Sequence, residues 1–182
     1  MGKRNTAIDN KQRDFIEQQK MFFVGTAAET GRVNLSPKGM DTLRVLGSNR
    51  VVWLNLTGSG NETAAHVLQN QRMTLMFCAF EGNPLILRLY GRAKVYHRRD
   101  KEYEELNHLF PNIPGSRQIF DLEVEMVQNS CGFGVPLYDF AGQRTLLEDW
   151  AKNKGAEGLK DYWKQKNTTS LDNFETKIID EL

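Results

Sequence analysis

The stretch Thr57-Gly58-Ser59-Gly60-Asn61-Glu62-Thr63-Ala64-Ala65-His66 leads from an apolar run through a glycine-spaced turn into a helical pattern. Ser59 and Glu62 stand three residues apart, which is the spacing of a capping box at a helix start. Two small glycines also leave backbone N–H groups bare, and a helix dipole favours an anion at that end. The stretch therefore predicts either a capped surface helix or a helix start that binds phosphate.

The helix that follows this turn has one apolar stripe. Ala64, Val67 and Leu68 recur at helical spacing, and Asn70 is expected to end the helix in a left-handed conformation. His66 falls near the edge of the stripe, which is typical of a packing or surface histidine. His97 and His108 show no ligand spacing with His66, so the pattern argues against a zinc site.

Outward from the turn, short apolar runs alternate with turn residues. Pro37 is expected to break the second run, and further helices are predicted over 10–20 and 101–109. Six or seven strands with short connections favour an antiparallel β-barrel with flanking helices. The predicted strands cover 22–28, 33–36, 43–46, 51–56, 73–80, 85–97 and 119–127.

The strand predicted over 85–97 alternates cleanly between two faces. Four polar or charged residues share one face, and small or apolar residues share the other. The polar face is either solvated, or Arg88 or Arg92 lines an anion site or a subunit seam. Its members are Arg88, Tyr90, Arg92 and Lys94.

Composition limits the classes of function. The 182 residues include 24 Lys and Arg against 23 Asp and Glu, so no overall charge draws the chain to nucleic acid or membrane. No apolar run is long enough to cross a bilayer, and no secretory signal is visible. Cys78 and Cys131 form no metal pattern, which suggests a reducing compartment and a cytoplasmic protein. The start, residues 1–6, matches the loose N-myristoylation pattern at Gly2 but also fits an unstructured terminus.

The character of the sequence changes at residue 129. We expect a barrel domain over 1–128 and a loop and helical extension over 129–182 that packs on the same domain. Helices are predicted over 145–152 and 159–166. Cys131 stands among glycines in a loop, where it is either an exposed redox-active thiol or a small residue that fills a tight turn.

The order of motifs resembles the pyridoxamine 5′-phosphate oxidase-like FMN-binding split-barrel family over residues 12–127. The motifs are Val33-Asn34-Leu35-Ser36-Pro37-Lys38-Gly39, Arg44-Val45-Leu46, the turn quoted above and Leu89-Tyr90-Gly91. This resemblance implies a six-stranded antiparallel split barrel that forms a homodimer, with FMN in two clefts at the dimer interface. Trp53, in one of the strands, is expected to be a core residue rather than a flavin-stacking one.

The resemblance also implies which residues hold the cofactor. The turn at Ser59 lacks the basic side chains of the oxidases, so the phosphate would depend on backbone donors completed by Lys38 or Arg44. Glu62 would repel the phosphate unless the capping box turned it away. The implied cofactor-binding residues are Lys38, Arg44, Val45, Leu46, Asn55, Ser59, Gly60, Asn61 and Thr63.

The chain differs from the oxidases after Cys131, where their Arg-x-His segment has no counterpart. This region instead resembles the tail of an uncharacterised branch of the family. We therefore expect an FMN-binding protein that acts as an oxidoreductase on a small molecule and is not a pyridoxamine 5′-phosphate oxidase. Alternatives are a non-catalytic carrier or stress-related protein that binds FMN, a deazaflavin or haem, and a scaffold dimer with a decayed site. No catalytic residue is assigned, because flavin chemistry resides in the cofactor.

Overall fold

The computed structural model describes residues 2–179. In it, strands with apolar side chains at every second position form one antiparallel sheet. Met1, the first residue of the predicted acylation pattern, lies outside this range. Within residues 2–179 there are eight strands: β1 (Arg4–Asn5), β2 (Phe22–Ala27), β3 (Val33–Lys38), β4 (Leu43–Gly47), β5 (Arg50–Leu56), β6 (Arg72–Cys78), β7 (Ile86–His97) and β8 (Ser116–Ser130).

The sheet runs in the order β3-β2-β6-β7-β8-β5-β4, and β1 pairs with β8 off this path. The prediction of a mostly β fold is confirmed, with the short β1 as an addition. The predicted break at Pro37 is wrong, because β3 continues to Lys38 and Pro37 pairs with Phe23. β3 is an edge strand, so no strand pairs with its outer side. A proline that lacks its N–H on that side therefore costs no ladder hydrogen bond.

The long pairing of β7 with β8 contains one register shift, between Tyr90 and Gly91. A Cβ atom at Gly91 would lie 1.9 Å from the backbone oxygen of Glu123. Only glycine fits this close approach of two strands. The predicted alternation of β7 is confirmed, since Leu87, Leu89 and Ala93 are buried while Arg92 and Lys94 are exposed.

Aromatic side chains fill the middle of the core. Trp53 on β5 stacks on Phe120 of β8 with ring centroids 4.5 Å apart, and Phe22 packs edge-on against Trp53 at 6.1 Å. Trp53, Phe77 and Phe120 are all fully buried. The expected core role of Trp53 is therefore confirmed, and this cluster holds β2, β5, β6 and β8 together.

Four helices lie within residues 2–179: α1 (Asn10–Gln18), α2 (Glu62–Gln69), α3 (Lys101–Asn107) and α4 (Leu146–Lys166). α4 contains both C-terminal helices predicted from the sequence, separated by Gly155 at φ 67°. None of these four helices is long and apolar enough to cross a membrane. The predicted left-handed stop at Asn70 is wrong, because Asn70 is extended and its side chain donates to the oxygen of Ala27.

The second half of α4 packs on the turn between β5 and α2. Trp163 Nε1 donates to Thr57 Oγ1 at 2.8 Å, and that hydroxyl donates to the backbone oxygen of Gly115 at 2.7 Å. The helical extension thereby lies beside the turn from which the site is built.

Candidate functional site

The turn between β5 and α2 does not form the capping box predicted from the sequence. Asn61, not Ser59, is the N-cap residue of α2, and its side chain makes no capping hydrogen bond. The Glu62 carboxylate instead accepts the backbone N–H of Leu171 at 3.0 and 3.1 Å. The Glu62 carboxylate therefore binds the segment that follows α4 and does not cap the start of its own helix.

A cavity of about 600 Å³ opens beside this turn. Its walls come from β3, β5, the turn itself, the start of β8 and the segment that follows α4. Lys38 and Arg117 supply its positive charge, together with Lys166 at the end of α4. The volume falls within the usual range for a small-molecule site.

Arg117 is the most unusual residue of this cavity, because it is only 4% exposed and no carboxylate within residues 2–179 pairs with it. Its Nη1 donates to Asn167 Oδ1 at 2.6 Å and its Nη2 donates to the Gly60 oxygen at 2.9 Å. Burial lowers the pKa of Arg117 to about 9, an effect that the nearby Tyr162 partly opposes. A buried cation held only by neutral oxygens favours an anionic ligand.

Lys38 provides a second cation on the same wall. Burial, followed by repulsion from Arg117, lowers the pKa of Lys38 to about 8. Its ammonium lies 5.4 Å from the centre of the Trp53 ring, and no carboxylate of the described chain forms an ion pair with it. Arg117, whose charge is disfavoured by burial, and Lys38, whose charge is disfavoured by burial and by Arg117, would both gain from a bound anion.

Four buried polar atoms around the cavity have no hydrogen-bond partner in the described residues. Three of them are oxygens that can accept, and the fourth is a guanidinium N–H that can only donate. Native proteins leave few such atoms, so a cluster of them is a place where water or a polar ligand can bind. The atoms are Ser36 Oγ, Asn55 Oδ1, Asn61 Oδ1 and Arg117 Nε.

A hydrogen bond to Gln118 fixes the orientation of the Asn55 amide. Its Nδ2 donates to Gln118 Oε1 at 3.0 Å, which leaves Oδ1 as the group without a partner. Gln118 is fully buried and lies within hydrogen-bond distance of His97 Nδ1, at 3.4 Å. This buried polar chain holds an acceptor at the cavity wall.

Asn167, the residue after α4, ties the C-terminal extension to the cavity. It is fully buried, accepts from Arg117 and donates through Nδ2 to the Gly58 oxygen at 3.2 Å. Its backbone oxygen accepts from Asn61 Nδ2 at 3.4 Å. One amide therefore positions the Arg117 guanidinium against the turn at Gly58.

Most of the site residues implied by the sequence meet in this cavity. Lys38, Asn55, Ser59, Gly60, Asn61 and Thr63 all line it.

The Arg44-Val45-Leu46 segment lies outside the cavity lining. The Arg44 guanidinium donates to the Asp41 carboxylate and to the Leu109 oxygen, and it lies 5.1 Å from the Phe110 ring centre. Val45 belongs to the core, and Leu46 is partly exposed. The charge expected from Arg44 is supplied in this cavity by Arg117.

Sequence reasoning missed Arg117 and Asn167. The predicted strand began at 119, whereas β8 starts at Ser116, so Arg117 fell in the turn after Pro114. A cation two residues before the alternating strand pattern that begins at Ile119 was the available signal. Asn167 offered none, because its role depends on where α4 ends.

Comparisons with known proteins agree with this architecture. Residues 8–131, more than half of the chain, match the family model described as Pyridoxamine 5'-phosphate oxidase. The chain is 34% identical over 186 aligned positions to the Pyridoxamine 5'-phosphate oxidase family protein ustO of Aspergillus flavus, covering 91% of this chain and 74% of that protein.

Solved structures support the fold at lower identity. HupZ of Group A Streptococcus is similar with a TM-score of 0.55 and 19% identity, covering 68% of this chain and 94% of that one. A putative pyridoxamine 5'-phosphate oxidase from Lactobacillus delbrueckii gives a TM-score of 0.53 and 17% identity, covering 68% and 94%. A Clostridium acetobutylicum protein related to general stress protein 26 gives 0.53 and 17%, covering 66% and 86%.

Proposed function

The chain belongs to the pyridoxamine 5′-phosphate oxidase family, and on that basis we propose that it binds FMN and acts as an oxidoreductase on a small molecule. The observation that carries this proposal is the buried Arg117, which has neutral partners at two of its nitrogens and no partner in the described residues at the third, Nε. A phosphate ester is a group that such a site would bind, through charge-assisted hydrogen bonds.

The donor and acceptor set of the cavity fits the polar half of FMN. The phosphate would pair with Arg117 and Lys38, and the backbone N–H groups at the start of α2 would add donors. The ribityl hydroxyls can donate to Ser36 Oγ, Asn55 Oδ1 and Asn61 Oδ1, which otherwise stay unsatisfied. When bound, FMN supplies the electron-transfer chemistry.

The protein's own contribution is to bind and orient. Arg117 and Lys38 would neutralise the phosphate, and Asn167 keeps the guanidinium in place. Glu62, whose charge opposes an anion, is occupied by the Leu171 N–H. These contacts favour a phosphorylated flavin over riboflavin by the strength of charge-assisted hydrogen bonds.

We do not expect pyridoxamine 5′-phosphate oxidase activity. The sequence has no histidine after His108, so the Arg-x-His segment of the oxidases has no counterpart. Loss of remote substrate contacts lowers the rate of the chemical step as well as affinity. A hydrogen peroxide assay with pyridoxamine 5′-phosphate checks this, and rapid turnover would contradict it.

A homodimer is part of the proposal. Val33 and Leu35 lie on one face of the edge strand β3 and are 78% and 65% exposed. Apolar side chains on an open edge strand are a liability unless another chain covers them. A second copy could cover both residues, and a homodimer is what the resemblance to the split-barrel family implies.

The decisive experiment is a titration of the apo-protein with FMN and with riboflavin. FMN should bind more tightly by about tenfold or more, because two cations meet its phosphate. Arg117→Met and Lys38→Met should each remove most of this preference. Arg44→Met is the matched control, since Arg44 lies outside the cavity, and it should leave the preference intact. Equal binding of the two flavins would refute the phosphate site.

The visible absorption spectrum of the freshly purified protein separates the proposed cofactor from its alternatives. An FMN spectrum is expected. A deazaflavin or haem spectrum would contradict the choice of cofactor, and a protein without any chromophore that also fails to take up FMN would favour a scaffold.

A further inference from the structure

A second cavity, of about 660 Å³, lies between the end of β3 and the loop that leads into α4. Its barrel side is formed by Met21, Met40 and Phe80, and its outer side by Tyr138, Phe140 and Leu147. A concave, mainly apolar cavity of this size is typical of a site for a small organic molecule.

Specific contacts hold the outer wall in place. The backbone N–H of Tyr138 donates to the Phe80 oxygen at 2.9 Å, and that of Phe140 donates to Glu81 Oε1 at 3.2 Å. The rings of Phe80 and Tyr138 pack with centroids 5.5 Å apart. Gln143 Nε2 donates to the Lys20 oxygen at 3.3 Å. Four contacts along six residues make this wall a defined surface.

The wall nevertheless exposes apolar side chains. Tyr138 is 62% exposed, Phe140 47% and Leu146 69%. Exposure of apolar groups to the water in a cavity is unfavourable, and an apolar ligand that covered them would recover that free energy.

Lys38 connects this cavity to the polar one, since it lines both and is the one residue common to their described linings. Lys20 and Arg144 add positive charge at the apolar cavity, against Glu81 and Asp139. Glu81 already accepts the Phe140 N–H, whereas Lys38 has no carboxylate partner in the described chain. The lining of the apolar cavity therefore carries three cations against two carboxylates, and Lys38 is the cation shared with the polar cavity.

We propose that the apolar cavity binds a small molecule with a flat apolar body and one carboxylate or similar anionic group, which pairs with Lys38. Under the proposed function, on which this role depends, that molecule is the substrate and lies beside the flavin site. Lys38 would then contact both the cofactor and the substrate.

The test uses 2-naphthoate as the probe and 2-naphthamide as its uncharged counterpart, each titrated calorimetrically into the protein with and without saturating FMN. The naphthoate should bind in both states. Without FMN it should bind more tightly than the amide by about tenfold, the scale of one charge-assisted hydrogen bond, and with FMN this difference should be smaller because Lys38 also pairs with the phosphate. Lys38→Met should abolish this difference. Phe140→Ala should weaken both probes by about three- to tenfold through lost apolar contact.

Phe133→Ala is the matched control, because Phe133 belongs to the same loop region, is 80% exposed and does not line the cavity. It should leave the binding of both probes unchanged. Equal affinity for naphthoate and naphthamide would overturn the inference, as would no binding at millimolar concentration.

Two further outcomes would assign the cavity to another occupant. Displacement of naphthoate by FMN would show that the flavin ring itself fills it. Dissociation of a dimer by Phe140→Ala, without naphthoate binding, would show that a second copy fills it. The FMN titration is read separately, so naphthoate binding without FMN binding would refute the proposed function and keep the second site.

Discussion

Arg117 Nη1 donates to Asn167 Oδ1 at 2.6 Å, which joins the start of β8 to the residue that follows α4. Both side chains are buried, and Nε is the one guanidinium nitrogen of Arg117 without a partner in the described residues. The C-terminal extension is therefore part of the cavity rather than an appendage to the barrel.

Asn167→Asp should weaken FMN binding by about tenfold while riboflavin binding changes little. The new carboxylate would pair with Arg117 and take the charge that the phosphate would otherwise use. Flavin fluorescence titration measures both affinities. Thr168→Ala, one residue away, is the control and should behave like the wild type; unchanged FMN affinity in a folded Asn167→Asp protein would contradict the positioning role.

The affinity for FMN should fall as the pH rises above about 8. The phosphate binds the protonated form of Lys38, whose pKa is lowered to about 8 by burial and then by Arg117. Affinity should be at its full value below that pH and decline above it. Riboflavin titrated over the same pH range is the control and should show no such decline. Lys38→Met should move the decline up to about pH 9, where Arg117 begins to lose its proton, and a wild-type profile that stays flat from neutral pH upward would rule this out.

Lys38→Met should also stabilise the ligand-free protein at neutral pH, by about 1–3 kcal/mol. In the folded state the pKa of Lys38 lies near 8, below the ordinary value of 10.5, so the protonated lysine opposes folding. That opposition is complete below about pH 8 and disappears as the pH rises toward 10.5. Urea denaturation at both ends of this range should show the advantage of the variant shrinking. A difference in the free energy of unfolding that stays constant with pH would disprove the lowered pKa of Lys38. Lys20→Met, on the exposed surface, is the control.

Gly91→Ala should destabilise the fold by about 2–3 kcal/mol or prevent folding, because its Cβ would collide with the Glu123 backbone oxygen. Gly47→Ala is the matched control within a strand, since nothing lies within 4 Å of a Cβ atom there. Thermal unfolding of the two variants compares them directly. Equal melting temperatures would mean that the β7–β8 register shift is not required.

The homodimer should dissociate when the exposed face of β3 is made polar. Leu35→Lys places a charge on the apolar edge strand, where it would oppose association. Light scattering should show a dimer for the wild type and a monomer for this variant. Leu68→Lys, on α2, is the control and should remain dimeric, and a monomeric wild type at micromolar concentration would refute the dimer.

The strands were predictable from the sequence because alternation is local. The two faces of β7 follow from every second residue between 86 and 97, and the core position of Trp53 follows from its apolar strand. The break expected at Pro37 was wrong because the local sequence does not show that β3 lies at the edge of the sheet, where proline is tolerated.

The site was predictable only in part, for a reason that Glu62 illustrates. Its spacing from Ser59 is right for a capping box, but a backbone N–H that lies 109 residues later takes the carboxylate. The role of Arg117 likewise depends on β5 and on Asn167, and no local pattern predicts that these lie next to it. Tertiary contacts decide the partner of each of these polar groups.

The bond between Trp163 and Thr57 spans 106 residues of chain, and the contact of Asn167 with Gly58 spans 109. All eight strands of the described chain precede α4, whereas these two contacts need the second half of that helix and the residue after it. The barrel can therefore assemble before its cavity is closed, and the ability to retain ligand should appear in refolding only after native sheet structure has formed. A ribosome-bound chain that has not yet released α4 would hold a folded barrel with an open cavity.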